Sequence, residues 1–304
     1  MTAALILAAA AVTEDGKLKP TDDIGGASSL KRIITIFRQA GIAKVAVVTG
    51  FEAEKTEHHC RQLGAVFVRS ADYENGDMLS SVKVGLEYLK DKCDRTFIVP
   101  ADVPLFSLET VKSMEAESEP VVIPMCYNKT GHPLLLSQSV FDRVLEYDGS
   151  GGVGGALSNA GIERRFLDVP DEGILLDTGD NTGISSAADN HGLRETRPEA
   201  KIKLVREKDF FGPGTFLLLT LVKETGTLKH AALRMGLSHG KAIQMIALAE
   251  QQLGFKVLKT GRGGASKGSS VVTREAAELM ERYEAFESEC TEFVKAAFKR
   301  HFDS

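Results

Sequence analysis

The stretch Arg95-Thr96-Phe97-Ile98-Val99-Pro100-Ala101-Asp102-Val103-Pro104 decides how the first two-thirds of the chain are read. An apolar, β-branched run of strand length ends in a carboxylate set between two prolines. Proline fixes φ and withholds a ladder donor, so the strand stops in a stiff turn and Asp102 stands at its carboxyl end. Such a position suits a divalent cation, and helix capping is the other use of the same carboxylate.

Outward from this stretch, apolar runs at 4–9, 44–49, 65–68 and 120–125 predict further strands, and amphipathic stretches at about 28–40, 52–63, 79–90 and 107–117 predict helices between them. Strands that are apolar throughout and separated by helices make an α/β fold, Rossmann-like, with a mostly parallel sheet covered on both faces. Ligands in such sheets bind at the carboxyl ends of the strands. Several polar segments fall on that edge. The loop 13–20 carries Lys17 and Lys19, cations able to close over phosphates, unless it is only a charged surface turn. Asn75 to Ser81 opens a helix whose N–H groups suit a base or a phosphate, and capping by Asp77 or Ser80 is equally economical. His132 follows Gly131 in a turn, where it contacts a ligand or bonds across the turn. Asp177 ends a later apolar run. Asp102 and Asp177 together suit an octahedral Mg²⁺ whose other oxygens come from substrate phosphates.

The length of 304 residues and 43% hydrophobic content predict two domains, read as 1–200 and 214–304 joined by a linker at 201–213, in which Lys201 to Val205 alternates as a short strand does. The formal charge of −5 describes an ordinary soluble protein, but it is unevenly spread. Residues 215–274 carry nine Lys or Arg against Glu224 and Glu250, while the last thirty residues carry four basic and eight acidic groups. This distribution gives an acidic body, a basic module and an acidic tail, which implies different partners for each. The four cysteines form no zinc or redox spacing, in keeping with a reducing, cytoplasmic setting. The opening run from Met1 to Val12 lacks a basic n-region and reads as a buried strand rather than a signal peptide. No membrane span is expected.

In the basic module, helices are predicted at 215–225, from Thr227 to Met235 and at 239–253, with a glycine turn at Gly236-Leu237-Ser238. Strands at 255–260 and 270–273 flank Gly261 to Ser269. This is the order of a winged helix-turn-helix, with Ser238, His239, Lys241 and Gln244 facing the groove of duplex DNA, and Arg262 and Lys267 on the wing. A winged helix used only for protein contact is the alternative. Beyond Thr273 a long helix carries Leu279, Tyr283, Phe286, Cys290, Phe293 and Ala297 in steps of four and three. That stripe packs on a partner helix in a homodimer, or back on its own domain.

The motifs of residues 4 to about 181 resemble those of the MobA-like nucleotidyltransferases, especially the MocA-type molybdenum cofactor cytidylyltransferases. Leu7-Ala8-Ala9 with Gly16 and Lys19 matches the family's opening loop, and Met78-Leu79-Ser80-Ser81 leading to Gly85-Leu86 matches its second motif. Asp102-Val103-Pro104, Gly131-His132-Pro133 and Asp177-Thr178-Gly179-Asp180 match the rest. The resemblance implies a sheet of the nucleotidyltransferase type and transfer of CMP or GMP from CTP or GTP to molybdopterin with Mg²⁺. In it Leu7, Ala8, Ala9, Gly16, Lys17, Lys19, Met78, Ser80 and Ser81 bind nucleotide, Lys19 and Asp102 are catalytic, Asp102 and Asp177 hold the metal, and His132 lies on the acceptor side. The chain departs from the pattern at Ala10, Val12, Glu14 and Asp15, where the family has glycine, serine, arginine and methionine. A carboxylate in place of the arginine repels phosphate. Gly149 to Ala156 occupies the family's acceptor region without its charges, and its glycines imply a mobile loop.

Residues 214 to about 288 resemble the winged helix domain of the molybdate-responsive regulator ModE, and the LysR type. The matching pieces are Glu224 to Ala232, Gly236-Leu237-Ser238 and Gly261 to Gly264. Two functional classes follow: a molybdenum cofactor nucleotidyltransferase joined to a DNA-binding module, or a transcription regulator whose altered transferase domain senses nucleotide or cofactor without turnover.

Overall fold

The computed structural model describes residues 1–9, 19–24, 26–71, 73, 77–178, 198, 200–261 and 269–302. The chain forms two compact units, Met1–Arg194 and Glu195–Ser304.

In the first unit, β1 (Thr2–Ala8) is the hub. It pairs in parallel with β2 (Lys44–Thr49) on one side and β4 (Arg95–Pro100) on the other, and β3 (Val66–Arg69) extends the sheet beyond β2. The order continues from β4 through β7 (Leu134–Ser137) to β5 (Val121–Cys126), which also pairs with β6 (Lys129–Thr130) and with β8 (Arg165–Asp168). The sheet is therefore largely parallel, as the apolar runs predict; β6 and β7 are antiparallel. The chain leaves β1 for β2 and β3, then returns to place β4 on the opposite side of β1. This reversal is a topological switch point at the carboxyl ends of β1 and β4, the place where α/β sheets usually take their ligands.

Helices α1 (Ser29–Gln39), α2 (Ala53–Cys60), α3 (Met78–Leu89) and α4 (Leu108–Ala116) fall where the periodicity places them. Ser28 and Ser107 cap α1 and α4 by accepting the N–H of Lys31 and Thr110. Below the sheet Phe37, Phe97 and Phe106 meet, with ring centroids 5.4 Å apart in both pairs. Helix α3 approaches β1 so closely that a Cβ on Gly85 would lie 2.3 Å from Leu5 Cδ1.

The stretch Gly149–Ala156 departs from the loop expected of it. Helix α5 (Phe141–Glu146) precedes it, and α6 (Gly152–Asn159) begins within it. Ala156 and Leu157 are buried, and their contact with the core outweighs the conformational cost of three helical glycines.

A buried ion pair joins α2 to β3. Glu57, 2% exposed, receives two hydrogen bonds of 2.8 Å from the Arg69 guanidinium and one of 3.0 Å from the Thr49 hydroxyl. Arg69→Met leaves this carboxylate buried with the hydroxyl as its remaining donor. The expected loss is about 2 kcal/mol, below the usual cost of breaking a buried pair because Arg69 is partly solvated. Urea unfolding measures it, and the double variant Glu57→Leu/Arg69→Met should recover most of the loss.

The second unit contains α7 (Pro213–Thr225), α8 (Leu228–Arg234) and α9 (His239–Leu253), then an antiparallel pair β11 (Leu258–Thr260) and β12 (Ser270–Val272), and α10 (Arg274–Phe302). Pro213 opens α7, Thr227 caps α8 and Ser238 caps α9, each at the expected break. The segment 201–213, read from the sequence as a linker, holds a hairpin of β9 (Leu204–Val205) and β10 (Asp209–Phe211). Phe211 is buried against Tyr283 of α10 with ring centroids 5.1 Å apart, so hydrophobic packing makes this segment part of the second unit's core.

Candidate functional site

The carboxyl ends of β1 and β4 lie in register, Leu7 beside Pro100. The Ala101 N–H donates to the Leu7 carbonyl at 2.9 Å, and the Ser29 hydroxyl at the start of α1 donates to the Ala101 carbonyl. The turn carrying Asp102 is thus bonded to β1 and to the first helix. Leu7, Ala8 and Ala9 are all buried at the carboxyl end of β1, and the Ala9 carbonyl accepts the Phe51 N–H at 3.0 Å.

The segment carrying Asp177 is brought to the Asp102 turn through the backbone. The Thr178 N–H donates to the Asp102 carbonyl at 2.8 Å, which fixes the Asp177-Thr178 segment against the Asp102 turn. Both aspartates are half-buried. A separate apolar cluster of Ile24, Leu105 and Leu176 ties together the chain leading into α1 and the segments that follow Asp102 and precede Asp177. Arg32 of α1, 2% exposed, holds the chain leading into α1 by donating from Nε to the Ile24 carbonyl at 2.7 Å.

Asp171 completes the scaffold and was not legible as a site-supporting residue in the sequence. Its carboxylate accepts the Ser107 N–H at 2.7 Å and the Thr110 hydroxyl at 2.5 Å, and its other oxygen accepts the Gly173 N–H at 3.0 Å. It locks the start of α4 to the turn that precedes Asp177. The available signal was an Asp two residues before a glycine, the mark of an Asx turn.

His132 joins from a third direction. Its N–H donates to the Ile174 carbonyl at 2.9 Å, and Gly131 lies so close that an added Cβ would stand 2.4 Å from the same oxygen. Burial alone pushes the His132 pKa down to about 4, so the ring is neutral near pH 7. Its Nδ1 and the Thr178 Oγ1 are buried without a hydrogen-bond partner among the described residues. Because protonation is disfavoured in the folded state, His132 contributes stability that is complete above its ordinary pKa of 6.5 and is lost as the pH falls toward 4. About 2 kcal/mol should disappear between pH 8 and pH 5, and His132→Gln should flatten that part of the profile in urea unfolding.

The nucleotide-side residues are placed as follows. Lys19 opens a short 3-10 turn, Lys19–Thr21; its side chain lies outside the described residues, as do Gly16 and Lys17. Met78 is exposed at the first turn of α3, Ser80 is half-buried and Ser81 buried. Asp77 caps this helix by accepting the Ser80 N–H at 2.9 Å, and the Ser80 hydroxyl donates back to the Asp77 carbonyl at 2.6 Å. Capping therefore occupies part of the N-terminus that the sequence also offered to a ligand. A groove of about 430 Å³, lined by Gly50, Glu52, Ala53, Glu54, Lys55 and Arg69, adjoins the ends of β2 and β3.

The donor set fits a small hard cation. Asp102 and Asp177 lie on two segments that a backbone hydrogen bond joins, next to a Thr178 hydroxyl with no hydrogen-bond partner among the described residues, and among those residues no group of three or more His, Cys, Asp or Glu forms a complete protein cage. Mg²⁺ is usually held by one or two carboxylates with substrate phosphates and water supplying the rest.

In the second unit Ser238, His239, Lys241 and Gln244 are exposed on the first turns of α9, although the Ser238 hydroxyl is engaged in accepting the Lys241 N–H at 3.2 Å. Arg262 and Lys267 lie outside the described residues. No helix among the described residues is long and apolar enough to cross a membrane.

No curated protein matches the chain. Among solved structures, a nucleotidyl transferase from Methanothermobacter thermautotroptrophicus superposes with a TM-score of 0.55 at 17% identity, covering 62% of this chain and 98% of the other. A homologue from Mycobacterium sp. strain JC1 of a Mycobacterium tuberculosis protein gives 0.52 at 20% identity, covering 62% and 97%. The 4-diphosphocytidyl-2C-methyl-D-erythritol synthase of Anaerococcus prevotii gives 0.50 at 12% identity, covering 62% and 95%. These likenesses share the α/β sheet fold. Residues 4–165, more than half of the chain, match the MobA-like NTP transferase domain, and the chain belongs to that family of nucleotidyltransferases.

Proposed function

We propose that the first unit transfers CMP or GMP from CTP or GTP to molybdopterin, releasing pyrophosphate, and that the second unit binds duplex DNA. The observation that carries the catalytic reading is the Thr178 hydrogen bond to the Asp102 carbonyl, which brings two carboxylate-bearing segments together at the sheet's carboxyl edge. Asp102 and Asp177 would hold Mg²⁺ there, and when bound it supplies charge neutralisation for the triphosphate and the departing pyrophosphate.

The chain's own groups position the reaction. Lys19 offsets charge on the α-phosphate. An acceptor phosphate oxygen forms a bond to the α-phosphorus as the α–β bridging bond breaks, and pyrophosphate leaves with that electron pair. The acceptor is already anionic, so no protein base is required. Neutral His132 orients an acceptor group by hydrogen bonding without adding charge. Rate enhancement then comes from alignment and electrostatics.

Support for DNA binding is the order of α7, α8, glycine turn and α9 followed by an antiparallel strand pair, with polar and cationic residues exposed at the start of α9. The nine basic residues of 215–274 supply the charge that phosphate contact needs.

A second reading is favoured by Ala10, Val12, Glu14 and Asp15, which replace the family's phosphate-loop residues: the first unit senses nucleotide or molybdopterin without turnover and modulates a transcription regulator. One assay separates the two. Protein incubated with CTP or GTP, Mg²⁺ and molybdopterin should release pyrophosphate. Nucleotide binding without release would exclude the enzyme and support the sensor.

A further inference from the structure

The hairpin that joins β5 to β6 turns through Tyr127 and Asn128, between the paired Cys126 and Lys129. Both turn residues have positive φ, 52° and 61°, as a type I′ turn requires. Asparagine and glycine suit such positions. A residue as bulky as tyrosine is strained there, because its Cβ crowds the following carbonyl oxygen. The turn therefore gives no reason for Tyr127, and strain of this kind is retained where the side chain has work elsewhere.

Burial does not supply the reason either. Tyr127 is 72% exposed, the most open of the large apolar and aromatic side chains among the described residues. The ring is nevertheless held in place. Its hydroxyl donates to Glu172 Oε1, in the 3-10 turn Glu172–Leu175 whose Ile174 carbonyl accepts the His132 N–H. A ring fixed at its backbone and at its hydroxyl, with its surface in water, is preorganised to stack on another flat ring at little further entropic cost.

Topology puts this ring on the edge of the sheet that carries Asp102. Strands β4 and β5 both run antiparallel to β7. They are therefore parallel to each other and end at the same edge, two strand spacings or about 10 Å apart. Asp102 follows the end of β4, Tyr127 follows the end of β5, and His132 lies on the chain between β6 and β7. An acceptor that presents its phosphate at Asp102 and passes His132 extends its far end toward Tyr127. In molybdopterin that far end is the pterin, a flat heteroaromatic ring. We propose that Tyr127 is the stacking platform for the acceptor's pterin, so that the β5–β6 hairpin selects the acceptor by its ring while the Asp102 side handles the phosphate. This assignment rests on the transfer reading above and is tested separately from it.

The probe is 6-hydroxymethylpterin, added to the full chain without nucleotide or Mg²⁺. Stacking should quench the pterin's own emission. The chain contains no tryptophan, so Tyr127→Trp places a single indole on the hairpin; its emission should fall as pterin binds, with affinity kept within about threefold. Tyr127→Asn removes the ring and gives the turn a residue that suits it. Pterin binding should weaken about 20-fold, while the thermal unfolding midpoint should rise by about 2 °C. No pterin binding by the unmodified protein, binding unchanged in Tyr127→Asn, or a lower midpoint for that variant would each overturn the platform. Displacement of the pterin by CTP or GTP would overturn it as well, by giving the ring site to the nucleobase. Pterin binding that needs Tyr127, without pyrophosphate release in the full assay, would refute the transfer reading and keep the platform; release without such binding would do the reverse.

Discussion

Asp102→Asn is expected to lower the rate of pyrophosphate release by about a thousandfold at saturating Mg²⁺, a barrier increase of about 4 kcal/mol. The substitution is isosteric and leaves the Asp102 carbonyl free to accept the Thr178 N–H, so the arrangement of the two segments is retained and only the charge on one side chain is lost. Thermal unfolding should accordingly move little. A second readout separates cation binding from general damage. Nucleotide affinity of the unmodified protein should increase when Mg²⁺ is added, while that of the variant should respond weakly. A variant that keeps its rate within tenfold and its Mg²⁺ response would remove Asp102 from the metal site.

Gly173→Ala should be the most disruptive small substitution in the first unit. An added Cβ would stand 1.6 Å from the Leu105 carbonyl oxygen and 2.4 Å from its carbon, both backbone atoms that cannot rotate away. The turn from Asp171 to Leu176 must lift from the segment after Asp102. In doing so it strains the bonds from Asp171 to Ser107, Thr110 and Gly173. A stability loss of at least about 3 kcal/mol is expected in urea unfolding. Any folded fraction should also lose transfer activity, because the same turn leads to Asp177. Unchanged stability would mean that the turn has room which the close approach of Gly173 and Leu105 denies.

The parallel core was legible because its signal is local. Fully buried strands need continuous apolar runs, and 45–48 and 97–100 show them without interruption. Asp102 and Asp177 stand out as candidates for a similar reason, each being a carboxylate just past such a run. The supports between them were not. Asp171 meets Ser107 and Thr110 across more than sixty residues, and Glu57 meets Arg69 around the end of β3, contacts that leave no periodic trace. The glycine-rich stretch 149–156 misled for a physical reason: intrinsic propensity argues for a loop, and the buried faces of Ala156 and Leu157 override it. In the second unit each helix start was marked by a cap or a proline. The alternation of Lys201 to Val205 marks the first strand of the hairpin at 204–211, and the second was hidden because its decisive contact, Phe211 with Tyr283, spans seventy-two positions of sequence.

That aromatic contact also sets the smallest piece of the second unit that can be expected to fold after excision. A fragment cut at residue 214, where the helical pattern begins, would discard Phe210 and Phe211 and leave the buried Tyr283 facing a void, with its hydroxyl deprived of Ile202. A cut at 200 keeps those partners. Shortening from the other end is limited in the same way: the chain can be trimmed back toward Glu284, but removing Tyr283 would unseat a hairpin that lies far upstream. The covalent ends of this unit are therefore poor guides to its boundaries, which are set by a ring at 283 and the two residues, 202 and 211, that hold it.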